Sequence, residues 1–287
     1  MPRYRQHKRM VQSINGLNVW RWILVSLAAA GPAVAQVRVF PKVAAFEYPA
    51  GGPRAAGIVG RVVHERRGDS RFGPEQEADV LIGANIPVLG FSRGDHPGFV
   101  GLTIRVGGRF SLDDPKTSLI SNDWVVGIHG VVDRGPWRVA AELFHESSHL
   151  GDEYAETFGA RRLDWTHEVA AIWVRRTAGP IVLDGTVGYA LIDALPLRRG
   201  SAGLGAAYRG NWGSTLGATV RPVVAVFAEG QAYLGWKVTT SGRTGIELDR
   251  DGRQIGVGLV YLNGYSTQRQ FYDRASRYWG FELRFIW

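Results

Sequence analysis

The chain has 287 residues, no cysteine, 38 glycines and a net charge of +8, which excludes a disulfide framework and thiolate chemistry. Five of those charges lie in residues 1–35, so the remainder carries only +3 and its basicity is no sign of nucleic-acid binding. No run reaches the roughly 18 apolar residues of a membrane-spanning helix, and the near-neutral overall hydropathy suits strands with one apolar and one polar face.

Residues 1–35 read as an export signal. Arg3, Arg5, Lys8, Arg9 and Arg21 are basic, Trp22 to Ala30 is a short apolar run, and Ala33-Val34-Ala35 gives the small-x-small pattern before a cut at Gln36. The basic stretch is long for a signal, which makes Met10 an alternative start. Residues 36–56, with Pro41, Pro49 and Pro53, read as an irregular amino-terminal lead. From residue 57 onward apolar and polar residues alternate with the period of a strand. The pattern predicts strands at 57–65, 77–89, 99–110, 122–132, 136–148, 163–176, 181–192, 201–210, 214–221, 223–238, 254–262 and 277–287, with Pro222 either interrupting one long strand or separating two. The last stretch is the clearest. Trp279, Phe281, Leu283, Phe285 and Trp287 share one face, with Tyr278, Gly280, Glu282 and Arg284 between them.

An apolar outer band with aromatic residues at its edges, made by strands that close on themselves, is the pattern of a transmembrane barrel. The expected fold is therefore all-β, a transmembrane antiparallel β-barrel of about 12 strands (10 as the alternative) over residues 57–287. Its expected location is the outer membrane, its state a monomer, and its partner outer-membrane lipid. The strand-final aromatics resemble the signal read by the outer-membrane assembly machinery. Trp124, Trp137, Trp165, Trp173, Trp212, Trp236, Trp279 and Trp287 are expected as interface anchors. Arg105, Arg109, Arg138, Glu142, Glu168, Glu229, Glu282 and Arg284 are expected to line or plug the lumen in a salt-bridged network.

The densest chemistry lies in Glu142-Leu-Phe-His145-Glu146-Ser147-Ser148-His149-Leu150-Gly151-Asp152-Glu153-Tyr154. On a helix, His145-Glu146-x-x-His149 would be the zinc-protease pattern, with Glu146 as base. The alternation of Trp137, Val139, Ala141 and Leu143 argues for a strand instead, which puts His145 and Ser147 on one face. A serine beside an imidazole is a nucleophile–base pair for acyl transfer. Such a pair needs a third group to orient the imidazole, and Glu156 in the loop is one candidate. On the expected parity Trp165, Val169, Ala171 and Trp173 face out, and Thr166 and Glu168 face in. His149, Asp152 and Glu153 are candidate metal ligands, with Ca²⁺ the cation their oxygens would take; no other cofactor is expected. The bland alternative is a barrel rim and a solvated loop in a structural or narrow-channel protein.

The His-x-Ser hairpin over residues 142–173 resembles outer-membrane phospholipase A and the outer-membrane lipid A deacylase. In both, a His and a Ser two residues apart work with a polar residue on or near the next strand, which implies a lipid acyl hydrolase here with Asp164, at the start of the next strand, as the orienting acid. The Ser-Ser-His-Leu-Gly-Asp-Glu core within His145 to Tyr154, together with Asn263-Gly264-Tyr265-Ser266 and Gln270-Phe271-Tyr272, resembles a bacterial domain-of-unknown-function family, number 1207. That resemblance implies an envelope barrel and assigns no activity.

Overall fold

The computed structural model describes residues 37–66, 75–93 and 96–287; the expected export signal lies outside the described residues. The strands are β1 (Arg38–Val39), β2 (Gly57–Glu65), β3 (Gln76–Arg93), β4 (His96–Ser111), β5 (Leu119–Arg134), β6 (Trp137–Leu150) and β7 (Trp165–Ala178). They continue with β8 (Ile181–Asp193), β9 (Gly200–Arg209), β10 (Ser214–Thr215), β11 (Ala218–Gln231), β12 (Val238–Arg250), β13 (Arg253–Tyr265) and β14 (Ala275–Ile286). Leaving aside the two-residue β1 and β10, neighbours in sequence pair antiparallel around a ring, and β14 pairs with β2 to close it. The result is a closed 12-stranded all-β barrel, as the alternation predicts. One helix, α1 (Asp152–Phe158), interrupts the loop between β6 and β7 and ends on Gly159 in the left-handed conformation.

The rhythm of β14 shows what sorts the wall. Trp279, Phe281, Leu283 and Phe285 face outward and are exposed, while Tyr278, Glu282 and Arg284 face the lumen and are buried. Outward Trp137 and Trp287 mark the end of the barrel where tight turns join the strands; outward Trp124, Tyr261 and Trp279 mark the loop end. Ten residues separate Trp137 from Ser147 along β6; at about 3.3 Å per residue and a tilt near 40°, that is roughly 25 Å of height, the span of an apolar membrane band.

The lumen is filled. Residues 40–56 enter from the turn end and double back to Gly57, whose φ of +98° makes the corner into β2. Phe46 and Tyr48 pack with Phe99, Phe144 and Trp173, and Ala50 packs with Ala207 and Val223 on the inner wall. Wall side chains also hold the segment's backbone: Asn85 donates to Phe46 O, Arg138 to Ala45 O, Arg175 to Tyr48 O and Ser241 to Gly51 O. Gly51 lies so close to β11 that a Cβ there would fall 2.6 Å from the Val226 backbone. The expected irregular lead is thus a plug. Around it runs the expected charge network: Arg61 bridges Asp79 and Glu282, Arg243 joins Glu282 to Glu247, and Arg109 pairs with Glu77.

Two local expectations change. β11 passes through Pro222 as one strand and stops at Gln231, short of 238. Pro222 lies beyond the last β9–β11 pair, Arg209 with Val223, so its missing N–H removes no ladder bond. β12 occupies residues where no strand was expected. On its outward face Thr240, Gly242 and Thr244 separate Val238 from Ile246, which breaks the apolar run.

Candidate functional site on the outer wall

β6 places His145, Ser147 and His149 on the outer face, and Glu146 and Ser148 toward the lumen. Glu146 is buried there in an ion pair with Arg269 at 2.9 Å. The extended backbone therefore overturns the zinc-protease alternative, because Glu146 points away from both histidines.

The parity expected for β7 is the reverse of the one observed. Trp165, His167, Ala171 and Trp173 are buried toward the lumen; Thr166, Glu168, Ile172 and Val174 face outward. The apolar residues were expected to seek lipid, but here the plug offers them an internal partner: Trp173 packs against Phe46 and Tyr48 at centroid distances of 5.8 and 5.2 Å. Trp165 stacks on His167 at 4.1 Å. These two tryptophans are core residues rather than interface anchors, and Glu168 is not part of the lumen network.

This parity creates the site. His145 and Glu168 are directly opposed in the β6–β7 ladder, as are Ser147 and Thr166. His145 Nδ1 lies 2.7 Å from Glu168 Oε1, both side chains half-buried. With Nδ1–H donating to the carboxylate, Nε2 keeps its lone pair and can accept a proton. On the β8 side the register shifts between Glu168 and Val169 and leaves Leu191 of β8 unpaired, while β7 keeps one alternation throughout. On the other flank of Ser147 its ladder partner is Trp124 of β5, outward and exposed. In membrane barrels a girdle tryptophan sits where hydrocarbon gives way to headgroups, and Ser147 shares the level of Trp124. No hydrogen bond joins Ser147 to His145 among the described residues.

The other candidates are not gathered here. Asp164 precedes β7 and accepts only a long 3.4 Å bond from Thr166 Oγ1. Glu156 is exposed on α1. Asp152 pairs with Arg162, while Glu153 and His149 are exposed. Among the described residues no three His, Asp or Glu side chains are grouped to hold a metal ion, so His149, Asp152 and Glu153 do not form the expected cation site. The carboxylate brought to His145 is Glu168, which the sequence reading assigned to the lumen; it holds the ladder position opposite His145.

Behind the wall, at the loop end of the lumen, Arg54, Arg269, Glu146, Glu229 and Tyr233 line a polar cavity of about 100 Å³. Burial alone would lower the Arg269 guanidinium, but Glu146, Tyr233, Glu229 and Asp123 together outweigh it and hold the group above its usual range. Burial pushes the Tyr233 hydroxyl up to about 12.

No curated protein sequence matches the chain. Solved barrels cover most of it at low identity. LpxR from Salmonella typhimurium is 9% identical, covering 80% of this chain and 100% of its own, with a TM-score of 0.39. OmpT of Vibrio cholerae is 10% identical over 80% and 96%, with a TM-score of 0.33. A bacterial polysaccharide outer membrane secretin is 11% identical over 80% and 98%, at 0.32. Likenesses of this size carry no inference about activity. The family model described as "Protein of unknown function (DUF1207)" matches residues 38–287, the plug and the whole barrel, and the chain belongs to that family.

Proposed function

We propose that this protein is an outer-membrane barrel that hydrolyses an acyl ester of a membrane lipid on its outer wall. The observation that carries the reading is the 2.7 Å contact of His145 Nδ1 with Glu168 Oε1 on the lipid-facing surface, beside Ser147. Ser147 Oγ attacks the ester carbonyl while His145 Nε2 takes its proton, and Glu168 holds the ring and the imidazolium charge. The proton then passes to the departing lipid alkoxide. Water, activated by the same imidazole, cleaves the acyl-enzyme and releases the fatty acid. Ser147 has to turn toward Nε2 for this. Catalytic hydrogen bonds of this kind often tighten only once substrate is in place. With the longer loops facing the cell exterior, as in bacterial barrels, the site addresses the outer leaflet.

The second reading is a non-enzymatic envelope barrel, favoured by a lumen whose interior is occupied by residues 40–56. Fatty acid release from phosphatidylethanolamine vesicles and from lipopolysaccharide separates the two. Release by the wild-type protein that Ser147→Ala abolishes supports hydrolysis. Equal release, or none from either protein, rejects it.

A further inference from the structure

Between β7 and β12 the outer wall is dented. Ladder partners Ile172, Val187 and Ala202 continue through Gly230 to Val238, crossing five strands. The row lines a depression of about 590 Å³. Small residues make its floor. A Cβ added to Gly185 would meet only Leu204, at 3.8 Å. Leu204, with no large outward neighbour to lean on, is 73% exposed. The dent runs from the middle of the belt at Ile172 to the loop-end rim at Gly230 and Val238, and along its mid-belt part what fills it in a bilayer is hydrocarbon.

Its position relative to the outer-wall site gives that hydrocarbon an identity. Glu168 and Ile172 lie on the same outward face of β7, four residues and about 13 Å apart. The path runs from girdle depth toward the middle of the belt, past the small Ala170. A long acyl chain esterified at the level of Ser147 reaches the dent; a short one does not. We propose that the dent floored by Gly185, Ala202 and Gly230 is the acyl-chain subsite of the Ser147–His145–Glu168 centre, selecting lipids with long chains. This rests on the hydrolase reading above.

Filling the dent tests it with little risk to folding, since Gly185→Leu and Ala202→Leu add apolar bulk to a lipid-facing surface. Cleavage of a hexadecanoyl ester should fall about tenfold or more, while a butanoyl ester is cleaved as by the wild type. Equal loss on both esters, or on neither, overturns the subsite. A second measurement does not depend on catalysis. Phosphatidylethanolamine with a photoactivatable group at its chain end, in vesicles with the wild-type protein, should label residues 181–209 above the rest of the belt. Uniform labelling around the barrel, or a cross-linked second copy in place of lipid, overturns the proposal. Inactive protein that still labels 181–209 refutes the hydrolase and with it the subsite's role, leaving a lipid-binding dent alone.

Discussion

Two carboxylates within a few residues of each other on β7 and its approach differ in what they can do, and only the ladder distinguishes them. Asp164 has the residue type expected of an orienting acid but sits ahead of the strand. Glu168 faces His145 across one ladder step. Glu168→Gln keeps the shape but loses the negative charge that steadies an imidazolium, and should lower kcat for fatty acid release by about 10²-fold or more. Asp164→Asn and Glu156→Gln should leave it within a factor of two to three. If Asp164→Asn instead carries the loss, Glu168 is not the partner. Glu142 shows the same logic inside the barrel. It accepts from the Tyr48 hydroxyl at 2.7 Å, the Thr103 hydroxyl at 3.0 Å and the Trp173 indole at 3.1 Å. Glu142→Leu strands three buried donors and should destabilise the protein by about 3 kcal/mol or more, read from the urea midpoint of unfolding.

Strand rhythm made most elements legible because membrane and lumen impose opposite chemistry on alternate residues. β14 is the clearest case: its outer face is apolar from Trp279 to Phe285, and its inner face carries Glu282 and Arg284. Legibility failed where that contrast was weak. β12 presents Thr240, Gly242 and Thr244 across the middle of its outer face and so lacks a continuous apolar stripe. β7 was read with inverted faces because Trp165, Ala171 and Trp173 looked like lipid contacts. The plug was hidden for a related reason. Phe46, Tyr48 and Ala50 sit among prolines with no long periodic run, so nothing marked them as a core. The missing signal was on the wall: Val125, Ala140, Phe144 and Trp173 point inward and need an apolar partner inside the ring. His145 and Ser147 were placed on the outer face, where they lie; Glu168 was not, since the inverted β7 hid it.

At the scale of the whole molecule, one surface is an exposed apolar belt and the other is internally satisfied. Placing a charge on the first should be costly in proportion to depth. Leu283 lies midway between Trp279 and Trp287 on the outer face of β14, so Leu283→Arg should destabilise the folded state by about 2–4 kcal/mol, measured by reversible folding into vesicles. A cost near zero would mean that β14 does not face hydrocarbon. The chain order adds a second condition: a 12-stranded ring joins its first long strand, β2, to its last, β14, so no edge remains open to a neighbour.

The doubled-back course of residues 40–56 sets a schedule for biogenesis. To enter a finished cylinder, two chain thicknesses would have to thread past Arg138, Arg175 and Arg209, which grip Ala45, Tyr48 and Glu47. It is simpler for the sheet to curl around a segment already in position, with the seam as the final event. Because the chain has no cysteine of its own, a pair introduced at Val62 and Phe281, ladder partners across that seam, would time it. Protection of the Phe46 region from pulsed deuterium should come before the cross-link; the reverse order would mean that the stopper is inserted last.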